Sequence, residues 1–545
     1  MALPFTAQAL FFLFTVYILL RFFDASLRDA HFRCFARAHG CAEPRRERNS
    51  LPYGIDDIVR ILRFKGDFLE DVFHERYRRY GSTHKQHGVI GEIIHTVEPR
   101  NLQAILSLKF MDFEVGKRRR RNLKDIVGYG IFTADGKDWE RSRAALRPFF
   151  GKVKGVGLEA LEVHVGNLLE VLGRTIGEEG WTGEVDLMEL FSRLTMDSST
   201  EFLFGESMGS QLAGLEAEFP ADSKMTFPEA YATANAWVGF RFRLPEFAWP
   251  LTALPFTSRR RRLDEALRLE EFQSTEGHAA NGGGSRDGKA QHAESEDEED
   301  GKQQRFVLLD ALVGEIHNPT VLRDELLQLF FASRDTTAYL LSWCFLLLSL
   351  HPCYFQRLRV SILSHFPRQS KQTSSTTITT AITPSSLKAC KPLTYFINET
   401  LRLYPVTPYN GRRATRNTAL PTGGGPAGDQ PVAVKKGQIV AYCVYVMHRR
   451  EDIWGADAAE FRPERWAGRA VGGRWEYLPF TGGPRVCLGQ ETALASAGYT
   501  IVRLLQEFEA ITQPIGHTKN DVKKCLNVLL SPEGGVRVRL RKAAA

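Results

Sequence analysis

No two of the eight cysteines in this chain stand in a C-x-x-C pair. A structural zinc site would want such a pair at short spacing, so that class is set aside. Cys34, Cys41, Cys344, Cys353, Cys390, Cys443, Cys487 and Cys525 also keep no pairing rhythm, which argues against a disulfide framework and for a reducing compartment. Internal repeats with a period of roughly 20–50 residues are missing, which removes solenoids and propellers. The formal net charge of +7 is too dilute for a nucleic-acid surface, though it suits an acidic protein partner or an anionic membrane. Charge is missing altogether from Met1 to Leu20, a stretch dense in Leu, Phe, Val, Ile and Ala. It also lacks the basic start and A-x-A site of a cleaved signal peptide. Twenty helical residues span roughly 30 Å, about the hydrocarbon thickness of a bilayer. The nearby basic residues (Arg21, Arg28, Arg33, Arg37, Arg45, Arg46 and Arg48) all follow this stretch. By the positive-inside rule, the expectation is a single-pass anchor over 1–23, a juxtamembrane linker over 24–50 and a cytosolic domain over 51–541.

What is present reads as an ordinary globular composition, 43% hydrophobic and 25% charged. Long segments with helical periodicity dominate, so the predicted class is mainly α with small β-sheets. Helical spacing runs from Tyr53 to Tyr80, and Val89–Ile94 and His95–Val97 read as short strands. Residues 274–304 are polar, then strongly acidic, and 370–386 are rich in Ser and Thr. Both are expected to be disordered inserts within one domain. The runs Lys117–Arg121 and Arg259–Arg262 are read as solvated faces.

The organising stretch is Phe480-Thr-Gly-Gly-Pro-Arg-Val-Cys-Leu-Gly489, directly followed by a helix pattern. It presents one cysteine among glycines at a helix N-terminus, where unpaired N–H groups and the dipole are predicted to lower the thiol pKa. A lone cysteine is usually a small buried hydrophobe, but five fixed positions in F-x-x-G-x-R-x-C-x-G are not a chance pattern. The loop resembles the haem-binding loop of the cytochrome P450 family. The resemblance implies haem b with Cys487 as axial thiolate, a P450 fold, and insertion of oxygen from O2 into a C–H bond. Phe480 and Gly489 belong to the same cofactor-binding loop.

Three further motifs follow in P450 order. Asp138-Trp139-Glu-Arg-Ser-Arg143 places Trp139 and Arg143 on one helix face. By resemblance both donate to a haem propionate, as do Arg485 and Arg412, with Arg413 a close rival to Arg412. Phe330-Phe-Ala-Ser-Arg-Asp-Thr-Thr-Ala338 puts an Arg–Asp pair and two threonines into an apolar helix predicted over 321–349. It resembles the oxygen-activation motif, which implies that Asp335 and Thr336 deliver protons. Ser333 stands where the family usually has glycine. Glu399-Thr-Leu-Arg402 and Phe461-Arg-Pro-Glu-Arg-Trp466 supply the family's structural triad, here Glu399, Arg402 and Arg465.

The resemblance extends to the fungal family that hydroxylates n-alkanes and fatty acids, through stretches such as Arg193–Gly205 and Met447–Asp452. It implies an NADPH–cytochrome P450 reductase, which carries the flavins, as electron donor, with cytochrome b5 as a second partner. It also implies a small lipophilic substrate, no nucleic acid, and an endoplasmic reticulum membrane location. Rival readings are a P450 tailoring a terpenoid or polyketide, a haem-thiolate isomerase or dehydratase acting on hydroperoxides, and a non-catalytic haem carrier.

Overall fold

The computed structural model describes residues 5–48, 56, 66–88, 91–152, 157–216, 227–244, 246, 249, 307–368, 382–468, 475–513 and 522–544. Ten α-helices of twelve residues or more lie among them. They are α1 (Phe5–Ala38), α2 (Gly116–Val127), α3 (Gly136–Lys152), α4 (Gly157–Arg174) and α5 (Leu187–Phe204). The others are α6 (Phe227–Arg243), α7 (Pro319–Leu350), α8 (Pro352–His365), α9 (Lys391–Leu403) and α10 (Gln490–Glu507).

The expected central helix is α7, whose 32 residues have identifiable ends. Asn318 caps it by accepting from the Thr320 and Val321 N–H groups at 3.0 and 3.2 Å, and Pro319 takes the first helical position. At the far end Pro352 forbids helical geometry at His351, and α8 leaves at 115°. Around α7 sits the main core, with Phe345 and Leu348 packed in one cluster with Phe191, Phe396 and Leu505 from α5, α9 and α10. Burial of apolar surface on α7 from several sides is what fixes these helices together.

The strands are few and short. A six-stranded sheet has the order β1 (Arg45–Arg46), β2 (Thr83–Gly88), β3 (Gly91–Thr96), β9 (Ile439–Cys443), β6 (Tyr409–Ala414) and β4 (Phe113–Glu114). A second sheet joins β10 (Phe508–Thr512), β13 (Arg537–Lys542) and β5 (Val185–Asp186). Two hairpins pair β7 (Thr418–Gly424) with β8 (Gln430–Val434), and β11 (Lys524–Leu526) with β12 (Leu530–Pro532). The mainly helical class with small sheets is therefore as expected.

Local expectations differ in places. His95 does not open a second strand; it continues β3 and pairs with His84. Residues 83–88, not singled out from the sequence, form β2, because their hydrogen bonds are completed by β3 and residues 83–86 are buried. The helical reading over 53–80 holds for 68–80, as a π-helical turn Phe68–His74 followed by Glu75–Tyr80; residues 53–55 and 57–65 lie outside the described residues. So do residues 259–262, the insert at 274–304 and most of that at 370–386. The last part of the second insert is ordered, with Thr383 and Ser386 forming a capping box for the short helix Pro384–Ala389.

Helix α1 runs without a break past residue 23 to Ala38. Ten of its large apolar side chains, from Phe12 to Leu27, are exposed. Its C-terminal end is tied to the body by an Asp29–Lys435 ion pair and by Ala42 N–H donating to the Pro431 carbonyl at 2.8 Å. Among the described residues no single helix is long and apolar enough to cross a membrane.

Beneath the core, α9 carries a buried ionic network. Glu399 and Arg402 are both 0% exposed. Arg402 grips both carboxylate oxygens at 2.9 Å and donates to the carbonyls of His448, Ala458 and Glu460. Arg465 Nε donates to Glu399 Oε1 at 2.8 Å and Trp466 Nε1 to Oε2 at 3.1 Å. Every member is satisfied, which is the condition under which buried charge is tolerable. Glu399→Ala strands two buried guanidiniums. We expect a loss of about 3–5 kcal/mol, read as a lower unfolding midpoint and a reduced haem-to-protein ratio in the purified protein.

Candidate haem-thiolate site

The network reaches the cysteine loop through two contacts. His448, held neutral by burial and by Arg402 (its pKa is pushed down to about 3), accepts the Leu478 N–H on Nε2 at 2.9 Å. Tyr477 donates its hydroxyl to the Asn398 carbonyl at 3.0 Å. The chain then turns at Thr481, a non-glycine residue with φ of 58°, and Gly483, with φ of 69°. A Cβ on Gly483 would stand 1.8 Å from the Leu106 carbonyl oxygen, so no side chain fits there. The turn closes when Cys487 N–H donates to the Phe480 carbonyl at 3.1 Å, and α10 starts at Gln490.

Cys487 counts as exposed, yet its surface opens into an interior cavity of about 1530 Å³. Phe480, Cys487 and Gly489 line one side, and Ser333 and Thr336 of α7 also line it. The thiol pKa is not lowered as its helix N-terminal position predicts. Burial among apolar groups pushes it up, against a hydrogen bond from the Gly489 backbone and the charge of Arg143. Desolvation outweighs both, and a bound metal ion would favour the thiolate.

Arginines gather on another wall. Trp139, 6% exposed, packs beneath the guanidinium of Arg485 at 4.4 Å and near that of Arg143 at 5.8 Å. Arg485 also donates to the Ala134 carbonyl and to Asp135 Oδ1, both at 3.0 Å. Arg412 is buried on β6 and donates to Asn410 Oδ1 at 3.3 Å and to the Gly411 carbonyl at 2.9 Å. Arg413, its neighbour, turns to the Gly437 carbonyl and toward Glu114.

The run 117–121 is not a solvated face. Lys117 and Arg121 are exposed, but the three residues between them are half-buried on α2. Arg118 clamps the carbonyls of Phe242 and Leu244 at the end of α6, and Arg120 reaches the Thr133 carbonyl. Arg119 enters the cavity wall and donates to Asn410 Oδ1 at 3.2 Å, beside Arg412. Five consecutive basic residues look alike in sequence; the helical turn sends each one in a different direction.

Arg119, Arg143, Arg412 and Arg485 thus share one wall, and they repel one another. Arg485 is pushed down to about 9, by burial first and then by Arg412, with only Asp135 opposing. Arg119 is pushed down to about 10 by burial and by Arg412. Buried cations in excess are costly unless an anion joins them. Haem b, a flat group with two carboxylates, fits this deficit. The cavity also exceeds the roughly 300–1,000 Å³ of an ordinary ligand pocket, leaving room for cofactor and substrate together.

On the third side, α7 carries Thr336, which lines the cavity and donates to the Ala332 carbonyl at 2.6 Å. Ser333 also lines the cavity, its hydroxyl donating to the Phe330 carbonyl at 3.3 Å. Asp335 is buried behind this wall, not in it, bonded to Arg334 and Asn235. The N-terminal half of α7 holds three polar residues not singled out from the sequence. Asp324, Glu325 and Gln328 accept the N–H groups of Tyr129, Ile131 and Phe132 at 2.8, 3.3 and 2.6 Å. They fix the loop that brings Ile131 and Phe132 to the cavity.

A cysteine loop and an arginine wall enclosing one large cavity under a long helix define a haem-thiolate protein. Comparison with known proteins agrees: the cytochrome P450 family model matches residues 58–538, and the chain belongs to that family. A cytochrome P450 monooxygenase of Fusarium sp is 39% identical over 92% of this chain and 85% of its own length. Cytochrome P450 52A4 of Candida maltosa is 40% identical over 77% of this chain and 74% of its own. A cytochrome P450 monooxygenase of Alternaria solani is 37% identical over 87% of each. The protein is therefore a monooxygenase of a family that holds haem through a cysteine thiolate and takes electrons from a partner reductase.

If Arg119 serves the anionic edge of the cofactor, Arg119→Gln speeds haem loss to apomyoglobin roughly tenfold, the worth of one charge-assisted hydrogen bond. Lys124→Gln, altered on an exposed residue of the same helix that does not line the cavity, leaves that rate unchanged.

Proposed function

We propose that this monooxygenase hydroxylates long-chain alkanes or fatty acids near the chain terminus. The observation that carries the reading is the cavity between Cys487 and Thr336, with Phe331, Leu329, Leu340, Val406 and Val528 in its walls. An unbranched chain gains affinity there by burying methylenes, about 0.8 kcal/mol each. Similarity to cytochrome P450 52A4 supports the reading, together with the family markers in the sequence.

In this reading Cys487 would hold the haem iron through its sulfur, and Trp139, Arg143, Arg412 and Arg485, with Arg119, would hold the cofactor's carboxylates. Bound haem iron supplies the oxygen chemistry: one atom of O2 enters the C–H bond and the other leaves as water, with two electrons from NADPH. The chain's own residues exclude water, aim the substrate and bring protons. Thr336 presents its hydroxyl to the cavity, and Asp335 behind it is the acid that exchanges protons with solvent. Glu399, Arg402 and Arg465 keep the loop beneath the cofactor in place.

The exposed apolar side chains of α1 suit insertion in lipid, with the anchor over 1–23 and the catalytic domain, 51–541, in the cytosol. Substrate then arrives from the bilayer of the endoplasmic reticulum. Cytochrome b5 is a second electron donor in this scheme.

Titration of the purified haem protein with dodecane, lauric acid and a terpenoid of similar size tests the substrate. Saturable difference spectra with the first two, and terminal alcohols as products, are expected. A response to the terpenoid alone selects the second reading, secondary-metabolite tailoring. Separately, Thr336→Ala should retain haem and substrate binding while diverting most NADPH-derived electrons to peroxide. Unchanged coupling would remove Thr336 from proton delivery.

A further inference from the structure

Asp335 has no free oxygen in this structure. Arg334 Nη1 donates to Oδ1 at 2.9 Å, and Asn235 Nδ2 donates to Oδ2 at 2.6 Å. The aspartate is 3% exposed and lies outside the cavity wall that Ser333, Thr336 and Thr337 form on either side of it in sequence. A carboxyl that passes protons toward Thr336 must first release one of these bonds. The Arg334 bond is to its own neighbour on α7, whereas the Asn235 bond crosses to another element, α6.

Helix α6 also touches the substrate space. Gly239 and Phe242 line the cavity, and they follow Asn235 by four and seven residues, on the same face of the helix. The packing leaves little slack. A Cβ on Gly239 would meet the Asn527 backbone, in the turn between β11 and β12, at 2.9 Å. A substrate that fills the space under Gly239 and Phe242 is thus in contact with the helix that holds Asp335.

We propose that Asn235 is a positioning residue that latches Asp335 away from the cavity, and that substrate loading beneath α6 releases it for proton delivery. The inference rests on the proposed proton-delivery role of Asp335. It makes proton supply through Asp335 conditional on an occupied cavity. The Asn235 Oδ1 atom is buried with no hydrogen-bond partner among the described residues, so its amide is held by the Asp335 contact and is lightly tethered otherwise.

Burial raises the Asp335 pKa, while Arg334 and the Asn235 hydrogen bond lower it. Arg334 and Tyr339 face it from α7 and Asn235 from α6, with Cys525 of β11 beyond Tyr339. Asn235 stabilises the charged carboxylate, so removing its donor raises the pKa further. Asn235→Asp adds a like charge and raises it more.

The test measures product formation, NADPH consumption and peroxide against pH for the full-length haem protein with its reductase, with and without lauric acid. In Asn235→Asp the limb of the profile that depends on Asp335 moves up by roughly one pH unit or more, the worth of one charge-assisted bond. In Asn235→Leu, close in volume, it moves the same way, and substrate-free NADPH consumption rises severalfold. Asn235→Gln recovers part of the shift. Haem content and the lauric acid difference spectrum guard against misfolding, and Asn235→Leu stands in if Asn235→Asp does not fold. Profiles and substrate-free consumption that match wild type, while Asp335→Asn alters them, overturn the latch. If Asp335→Asn itself matches wild type, the proton role of Asp335 falls and the latch with it.

Discussion

One buried carboxylate, Glu399, holds the lower half of this molecule together. It is held by two guanidiniums and an indole, and the same Arg402 that binds it also reaches three carbonyls, at His448 and in the loop Ala458–Glu460. His448 then passes the constraint to Leu478, two residues before the turn that presents Cys487. A full set of partners makes this arrangement stiff, because any displacement leaves charge unpaired in a low dielectric. Stiffness matters here because a single sulfur must meet a flat group at one position, and Gly483 shows how little room the loop has.

The sequence showed the cysteine loop, the ionic triad and the long central helix clearly, since each has a motif whose residues lie close together in the chain. What it hid depends on contacts between distant residues. Arg119 is indistinguishable from its four basic neighbours until α2 is folded and β6 brings Arg412 and Asn410 beside it. Asp324, Glu325 and Gln328 look like the polar face of an amphipathic helix. Their role appears only when a loop almost two hundred residues earlier offers its N–H groups. Strand β2 was missed for a related reason: Thr-His-Lys-Gln-His-Gly has no apolar alternation, and only its pairing with β3 makes it a strand.

The thiol shows where a local rule gives way to its surroundings. A helix N-terminus favours thiolate, and Gly489 and Arg143 do act in that direction. Yet the loop sits against an apolar cavity, and the cost of holding an anion there without a counter-ion is larger than one dipole can repay. The arginine wall presents the opposite problem, since positive charge there is in excess and Arg485 and Arg119 both hold their protons less tightly than a free guanidinium. The cysteine lacks a cation and the arginines lack anions. A single group with a metal at its centre and carboxylates at its edge removes both deficits at once.

The same electrostatics bear on how protons reach the cavity. Asp335 could have been placed in the wall beside Thr336, where its charge would face an apolar space that must also accept a hydrocarbon. Placed behind the wall, it keeps Arg334 and Asn235 as partners, and the cavity face of α7 shows only short hydroxyls, Ser333, Thr336 and Thr337. Those hydroxyls can be satisfied by their own helix, as Thr336 is by the Ala332 carbonyl, so they add no unpaired charge to the substrate space. The helix can thus supply protons without making its cavity face hostile to an apolar chain, provided the acid behind it can be freed when the chain arrives. An acid tied to α6 suits that condition, because α6 also lines the cavity through Gly239 and Phe242.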